Sequence, residues 1–245
     1  MRLRLFVVHG SHPCATVERA LAIKGLSYRV VEWPPPMHAP LQRLIFGART
    51  VPGLTIDGER ISGSRAIVHR LEELVPQPAL LPADPERRAR VEDAERWGDE
   101  VLQPVARELL WVGFAHRPDA MPSYGTHSRL RTPAGVVRLL APFATRVEMR
   151  LNNTDDGVAE RTLAGLPGQL DEIDAWIEDG TIGDPEHPNA ADLQIAPTVR
   201  LLMTMGDVRP LIEGRPCGEL ALRLFPDVDG DLPAGALPVR DLQSA

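Results

Sequence analysis

Strand-type apolar runs stop at Ile61, and every apolar pattern after it recurs at three or four residues. That break confines any sheet to the first quarter of the chain and leaves only helices to follow. Leu3, Leu5, Phe6, Val7 and Val8 read as a buried strand. Cys14 to Lys24 reads as a helix with Val17, Ala20, Leu21 and Ile23 on one face and Gly25 as its stop. Tyr28 to Glu32 reads as a second strand, ended by Pro34-Pro35-Pro36, because proline donates nothing to a ladder. Residues 37–50 hold a short helical stretch around Leu41, Leu44 and Ile45. Gly53–Ile56 and Glu59–Ile61 flank Asp57-Gly58, a hairpin signal because both turn positions need positive φ. Ser64 then caps a helix that runs to about Val75. The predicted order over residues 1–76 is β-α-β-(α)-β-β-α, an α/β layer with a mixed sheet and helices on both sides.

A proline-rich linker is expected over residues 77–84, and Asp84-Pro85 suits the cap and first turn of a long helix. Val91, Ala94, Trp97, Val101, Val105 and Leu109 keep helical spacing, with a bend expected at Pro104. Residues 115–132 read as a loop, and helices are expected over 136–151 and 163–177. The second part, 85–225, is therefore read as an all-helical domain, and 226–245 as an irregular tail. A chain of 245 residues has room for both cores. Its net charge of −7 argues against a nucleic-acid partner, which calls for a basic face. No apolar run nears the roughly 20 residues that span a bilayer, so no membrane partner is expected. The first apolar run ends at Val8, too short for a secretory signal. With two cysteines, one of them in a turn, a disulfide framework is not expected, and a reducing cytoplasm is the default location. The seven histidines show no metal-ligand spacing, so no metal site is expected.

Chemistry concentrates in Gly10-Ser11-His12-Pro13-Cys14, set between the first strand and the first helix. Pro13 suits a first helical turn, where a missing N–H costs nothing. Ser11 then sits beside unpaired helix N–H groups at the positive end of the helix dipole, a place that stabilises anions, thiolates included. Two readings stand for Ser11: a plain helix cap, or a hydrogen-bond donor to a bound sulfur. Two also stand for Cys14: a redox thiol, or a small buried core residue. Its partner position is Ser11, so no local dithiol cycle is available. His12 and His38 lie in plausible reach of the turn.

A strand followed by Ser-x-Pro-Cys and a helix resembles the active-site turn of thioredoxin-fold proteins, and more closely that of serine-type glutathione transferases of the theta and delta kind. Three further stretches fall in that family's order: Val51-Pro52, Ser64-Arg65-Ala66-Ile67, and Asn189-Ala190-Ala191-Asp192 followed by Leu193 and Pro197. The resemblance implies a thioredoxin-like N-terminal domain that binds glutathione as co-substrate, an all-helical second domain, no tightly bound cofactor, and a homodimer. It implies a detoxification-type activity, conjugation of the glutathione thiolate to a small electrophile. It assigns the sulfur to Ser11 and the cysteinyl backbone to Val51, before a cis Pro52. It assigns the γ-glutamyl carboxylate to Ser64, at the start of a helix with Arg65, and the glycyl carboxylate to Arg49. Where the family has an acidic or amide residue before the helix serine, this chain has Gly63, which offers no side-chain acceptor. Trp111, Phe114, His116 and Tyr124 are candidates to line the electrophile's pocket, or are simply core. The rival readings are a glutathione-dependent thiol–disulfide oxidoreductase working through Cys14, suggested by a likeness of Gly63-Ser64 to glutaredoxins, and a non-catalytic binding module of the same fold.

Overall fold

The computed structural model describes residues 1–35 and 37–238. Four strands form one mixed sheet: β1 (Leu3–Val7), β2 (Arg29–Glu32), β3 (Gly53–Ile56) and β4 (Glu59–Ser62), in the order β2-β1-β3-β4. β1 runs parallel to β2 and antiparallel to β3, which pairs antiparallel with β4. The parallel pair needs a crossover, supplied by α1 (His12–Ile23). The two-residue Asp57-Gly58 turn has φ of 50° and 104°, as a hairpin of this length requires.

One sheet face carries Leu3, Leu5, Val7 and Leu54 into a buried cluster with Val17, Ala20 and Leu21 of α1 and with Ile67, Val68 and Leu71 of α3 (Ser64–Leu74). On the other face Phe6 lies 5.2 Å from both Trp33 and Phe46, the latter on α2 (His38–Phe46). Gly53 permits this close approach, since a Cβ there would stand 2.6 Å from the Phe46 ring. Thus α1 and α3 cover one side and α2 the other.

The second part is helical: α4 (Pro85–Trp97), α5 (Gln103–His116), α6 (Ala134–Asn152), α7 (Asp156–Glu178), α8 (Ala190–Leu202), α9 (Arg209–Ile212) and α10 (Pro216–Leu224). Asp84 caps α4 by accepting from the Arg87 N–H at 2.8 Å. The expected bend near Pro104 takes the form of a wide π turn over Gly98–Leu102, which joins α4 to α5. The stretch 115–132, expected as loop, includes the end of α5 and a 3₁₀ segment, Pro118–Gly125. The short helices α9 and α10 carry too few apolar repeats to be read from periodicity. Among the described residues no helix is long and apolar enough to cross a membrane.

At the centre stands α8, every residue of which is buried except Arg200. Its first N–H groups have no water to turn to, so the chain supplies partners. Asn189 accepts from the N–H groups of Ala191 (2.9 Å) and Asp192 (3.1 Å), while Asp192 accepts from those of Asn189 (2.9 Å) and Gly183 (2.7 Å). Burial pushes the Asp192 carboxyl up to about 6, against the pull of those two N–H donors. From α8 polar bonds reach the sheet layer: the Thr16 hydroxyl donates to the Leu193 carbonyl at 2.8 Å, and the Gln194 amide to the Ser64 hydroxyl at 3.1 Å.

Two stretches carry more structure than proline content suggests. In the 77–84 segment Leu80 and Leu81 are buried, the Glu72 carboxylate receives the Leu80 N–H at 3.0 Å, and the buried Lys24 ammonium bonds both Glu72 and the Pro78 carbonyl. The described part of the expected tail, 226–238, is irregular but tied down. Leu232 is fully buried and bridges Met205, and Asp207 accepts from the N–H groups of Gly235, Ala236 and Leu237. Residues 239–245 of that expected tail lie outside the described residues.

Replacing Asp192 by Ala orphans two half-buried N–H groups, those of Asn189 and Gly183. The expected loss of stability is about 2–4 kcal/mol, read as a lower midpoint in urea with an unchanged slope, whereas Asn189→Ala should cost about 1 kcal/mol. A neutral Asp192→Ala would mean that water replaces the carboxylate.

Candidate functional site

The turn after β1 places Gly10 at φ 75° and Ser11 in extended backbone as the cap residue of α1. The Ser11 carbonyl receives the N–H groups of Cys14 and Ala15 at 3.0 and 3.1 Å, but its hydroxyl caps nothing. Ser11 stands on the wall of a cavity of about 990 Å³ between the sheet layer and the helices. Arg49 and Val51, from the loop before the cis Val51-Pro52 bond, line the same space. From α5 come Arg107, Trp111 and Phe114, and from α6 Leu140 and Glu148. Phe114 packs edge-on to Trp111 (5.6 Å) and to Tyr124 (5.0 Å), giving the helical side an aromatic wall.

Carboxylates from distant parts of the chain hold the rim. Glu32 accepts from the Ser128 hydroxyl at 2.5 Å and the Arg129 N–H at 2.9 Å. Asp229 accepts from the His9 ring at 2.7 Å, and from the His127 ring and N–H at 2.6 and 2.8 Å. His12, buried beside Ser11, is pushed down to about 3 by desolvation, with the Arg107 charge adding to the effect. Burial raises the Glu148 carboxyl and lowers the Arg107 guanidinium from their ordinary values.

Of the residues singled out in the sequence, Ser11, Arg49, Val51, Trp111, Phe114, Tyr124, His12 and His38 meet on this cavity. Pro52, Gly63, Ser64 and Arg65 are absent from its lining. The Pro52 carbonyl receives the Gly63 N–H at 3.0 Å, which fixes the start of α3 against the cis turn. Gly63, not Ser64, is the cap residue of α3, at φ 92°, and Ser64 is its first helical residue. The Ser64 hydroxyl is buried, receiving the Gln103 and Gln194 amides at 3.3 and 3.1 Å. Arg65 pairs with the buried Glu95 at 3.3 Å. His116 faces away and donates to Asp156 at 2.9 Å on the surface. Cys14 is buried among apolar side chains, and burial pushes its thiol up to about 12 against an opposing hydrogen bond from Ser11. Arg107 and Glu148 escaped the sequence reading because charged residues between apolar helix positions look like a solvated face, and Glu32 because a charged strand end looks like the edge of a sheet.

Comparison with known proteins settles the family of the N-terminal layer. Residues 5–79 match the family described as glutathione S-transferase, N-terminal domain. That match covers the sheet layer with its helices and stops before α4. A probable maleylacetoacetate isomerase 1 of Drosophila melanogaster is 56% identical over 55 residues, 22% of each chain. A maleylacetoacetate isomerase of Pseudomonas aeruginosa is 37% identical over 94 residues, 36% of this chain and 44% of that protein. The chain thus spans less than half the length of these curated relatives. Across the whole fold it is similar to the beta-etherase LigF of Sphingobium sp. strain SYK-6, with a TM-score of 0.62, 17% identity, and coverage of 91% of this chain and 99% of that one. The fold described above, a thioredoxin-like layer followed by helices, is the one shared with that structure.

Two outcomes follow from the burial of the site's titratable groups. With Cys14 and Cys217 both buried and both pushed up to about 12, native protein at pH 8 should give fewer than one fast thiol with Ellman's reagent and two after denaturation. A fast native thiol would put Cys14 back among reactive groups. His12 should stay neutral in the fold, so protonation of the unfolded chain below about pH 6.5 draws stability down as pH falls towards 3. NMR of the ring should show no titration between pH 5 and 8.

Proposed function

We propose that this chain uses glutathione as a co-substrate and adds its thiolate to an electrophilic carbon of a small molecule. The observation that carries this reading is Ser11: a cap residue at the start of α1, on the wall of a large cavity, whose hydroxyl is not spent on capping. Sulfur bound there meets an O–H donor and the positive end of a helix, both of which favour thiolate over thiol. A free thiol has a pKa of about 8.5, so lowering it by about two units calls for roughly 2.7 kcal/mol of differential stabilisation. Arg49 suits the glycyl carboxylate and the Val51 backbone the cysteinyl part. Ser64 and Arg65 lie off the cavity wall with their side chains held by Gln103, Gln194 and Glu95, so the γ-glutamyl end gains no side chain from them in this arrangement. Gly63 adds no side-chain acceptor for the ammonium, so binding should be weaker than with an acidic residue there.

In the addition, the sulfur lone pair bonds to the electrophilic carbon while that carbon's π pair moves onto the conjugated carbonyl, and the proton lost by the thiol returns to the α-carbon. A second reading shares the first half of that chemistry. If the adduct rotates about the new single bond and expels the thiolate, the net result is cis–trans isomerisation with glutathione regenerated. The maleylacetoacetate isomerases among the relatives favour it. The burial of Cys14 speaks against disulfide exchange through that thiol. A homodimer and a cytoplasmic location remain part of the proposal, from the family resemblance.

Ser11→Ala tests the common step. Loss of a hydrogen bond to an ionised group, about 1.5–3 kcal/mol, should slow turnover at neutral pH by roughly ten- to a hundredfold. The deficit should shrink above pH 9, where the thiolate forms unaided, and Cys14→Ser should leave the rate within about twofold. Conjugation of an enone and isomerisation of a cis-enone, followed side by side, separate the two readings by whether glutathione is consumed. An unchanged Ser11→Ala with an inactive Cys14→Ser would replace both by thiol–disulfide exchange.

A further inference from the structure

The cavity holds a guanidinium with nothing to bind. Arg107 projects from α5 into the space, half-buried, and its Nε is buried with no hydrogen-bond partner. It makes no ion pair with any described residue. An arginine cannot escape such a site by losing its proton, so it stays a cation in partly dry surroundings. Burying a charge in this way is costly unless an opposite charge and hydrogen bonds compensate it.

Three carboxylates are in electrostatic range, none of them in an ion pair with Arg107, and Asp99 and Glu108 are each held by a donor of their own. Asp99 takes the Gln194 amide at 3.0 Å, and Glu108 takes the Thr162 hydroxyl at 2.9 Å. Glu148 lies 3.8 Å from His38 with its Oε1 buried and without a hydrogen-bond partner, and burial raises its carboxyl towards the neutral form, which leaves little charge to offset the guanidinium. The other arginines on the lining, Arg49 and Arg131, are exposed at the rim, where water suffices. Arg107 alone of the three is set deep, beside the aromatic wall of Trp111 and Phe114. A planar fork of donors next to an apolar surface fits a carboxylate attached to a flat, unsaturated body.

We propose that the second substrate is an anion, an unsaturated or aryl-substituted carboxylic acid, whose carboxylate is received by Arg107 while its electrophilic carbon faces the sulfur at Ser11. This rests on the thiol-addition reading above and names the substrate class for it. Arg107 then serves as a specificity residue: a neutral electrophile leaves the guanidinium uncompensated and gains nothing from it.

Two measurements, one without turnover, keep the two readings apart. Calorimetry on the full chain should show 4-oxo-4-phenylbutanoate binding at least tenfold more tightly than its methyl ester, and Arg107→Met should abolish that preference while glutathione binding is unchanged. Equal binding of acid and ester, or loss of glutathione binding in Arg107→Met, would overturn the assignment, the latter by giving the cation to the thiol substrate. In turnover, the electrophile 4-oxo-4-phenylbut-2-enoate and its methyl ester are compared as kcat/KM, each divided by its uncatalysed rate with glutathione. Wild type should prefer the acid by roughly ten- to a hundredfold. Arg107→Met should lose that preference through the acid alone, and Arg107→Lys should recover part of it. Equal losses for acid and ester would make the residue structural and sink the proposal. Turnover of neither, with the acid still bound selectively, would refute thiol addition but support the anion site. Should Arg107→Met fail to fold, Arg107→Gln carries the same comparison.

Discussion

The fold depends on closing the start of α8. A helix surrounded by protein gains the full hydrophobic benefit of its Ala, Leu, Ile and Val side chains only if its exposed N–H groups are met from within. Asn189 and Asp192 meet them reciprocally, and Asp192 reaches on to Gly183, so the loop before the helix is fixed with it. With that end closed, Thr16 and Gln194 connect the helix to α1 and α3 by side-chain bonds whose geometry tolerates little sliding. The relative placement of sheet and helices, and so the shape of the space between them, follows from those few bonds.

That shape decides what each wall contributes. The sheet layer brings a cap residue at a helix start, the backbone before a cis turn and a loop arginine. The helical layer brings bulk and charge, in Trp111, Phe114, Arg107 and Glu148. Gln103 and Gln194 occupy the Ser64 hydroxyl, so the start of α3 is coupled to the helical wall and is not an independent subsite.

Much of the framework was legible in the sequence because it is local. Strand periodicity, the Asp57-Gly58 hairpin, the Val51-Pro52 step and the Asn189–Asp192 box are each written in a few adjacent residues, and each is found in place. The Ser11 turn was legible for the same reason. What escaped has long-range causes. Leu80, Leu81 and Leu232 sit in proline- and glycine-rich stretches, and nothing near them tells that Lys24, Glu72 or Met205 will hold them. Arg107 lies in a run of ordinary amphipathic spacing, and its isolation becomes visible only when α5 and α6 are seen from the cavity. The membership of Ser64 in a buried amide network, with no place on the cavity wall, likewise depends on two glutamines 39 and 130 residues away.

Asp229 joins His9, two residues before Ser11, across 220 positions of sequence. The Ser11 turn therefore leaves the ribosome long before the residue that completes its support. During synthesis the sheet layer has its own core and its local turns, yet one support of the Ser11 turn arrives only once the polypeptide has been made as far as Asp229. Contacts of such separation form late and slow folding. Quality control is built into this order of assembly: a product broken off within α10 would retain the sheet layer's segments and the Ser11 turn but lack the carboxylate that ties His9 and His127 together.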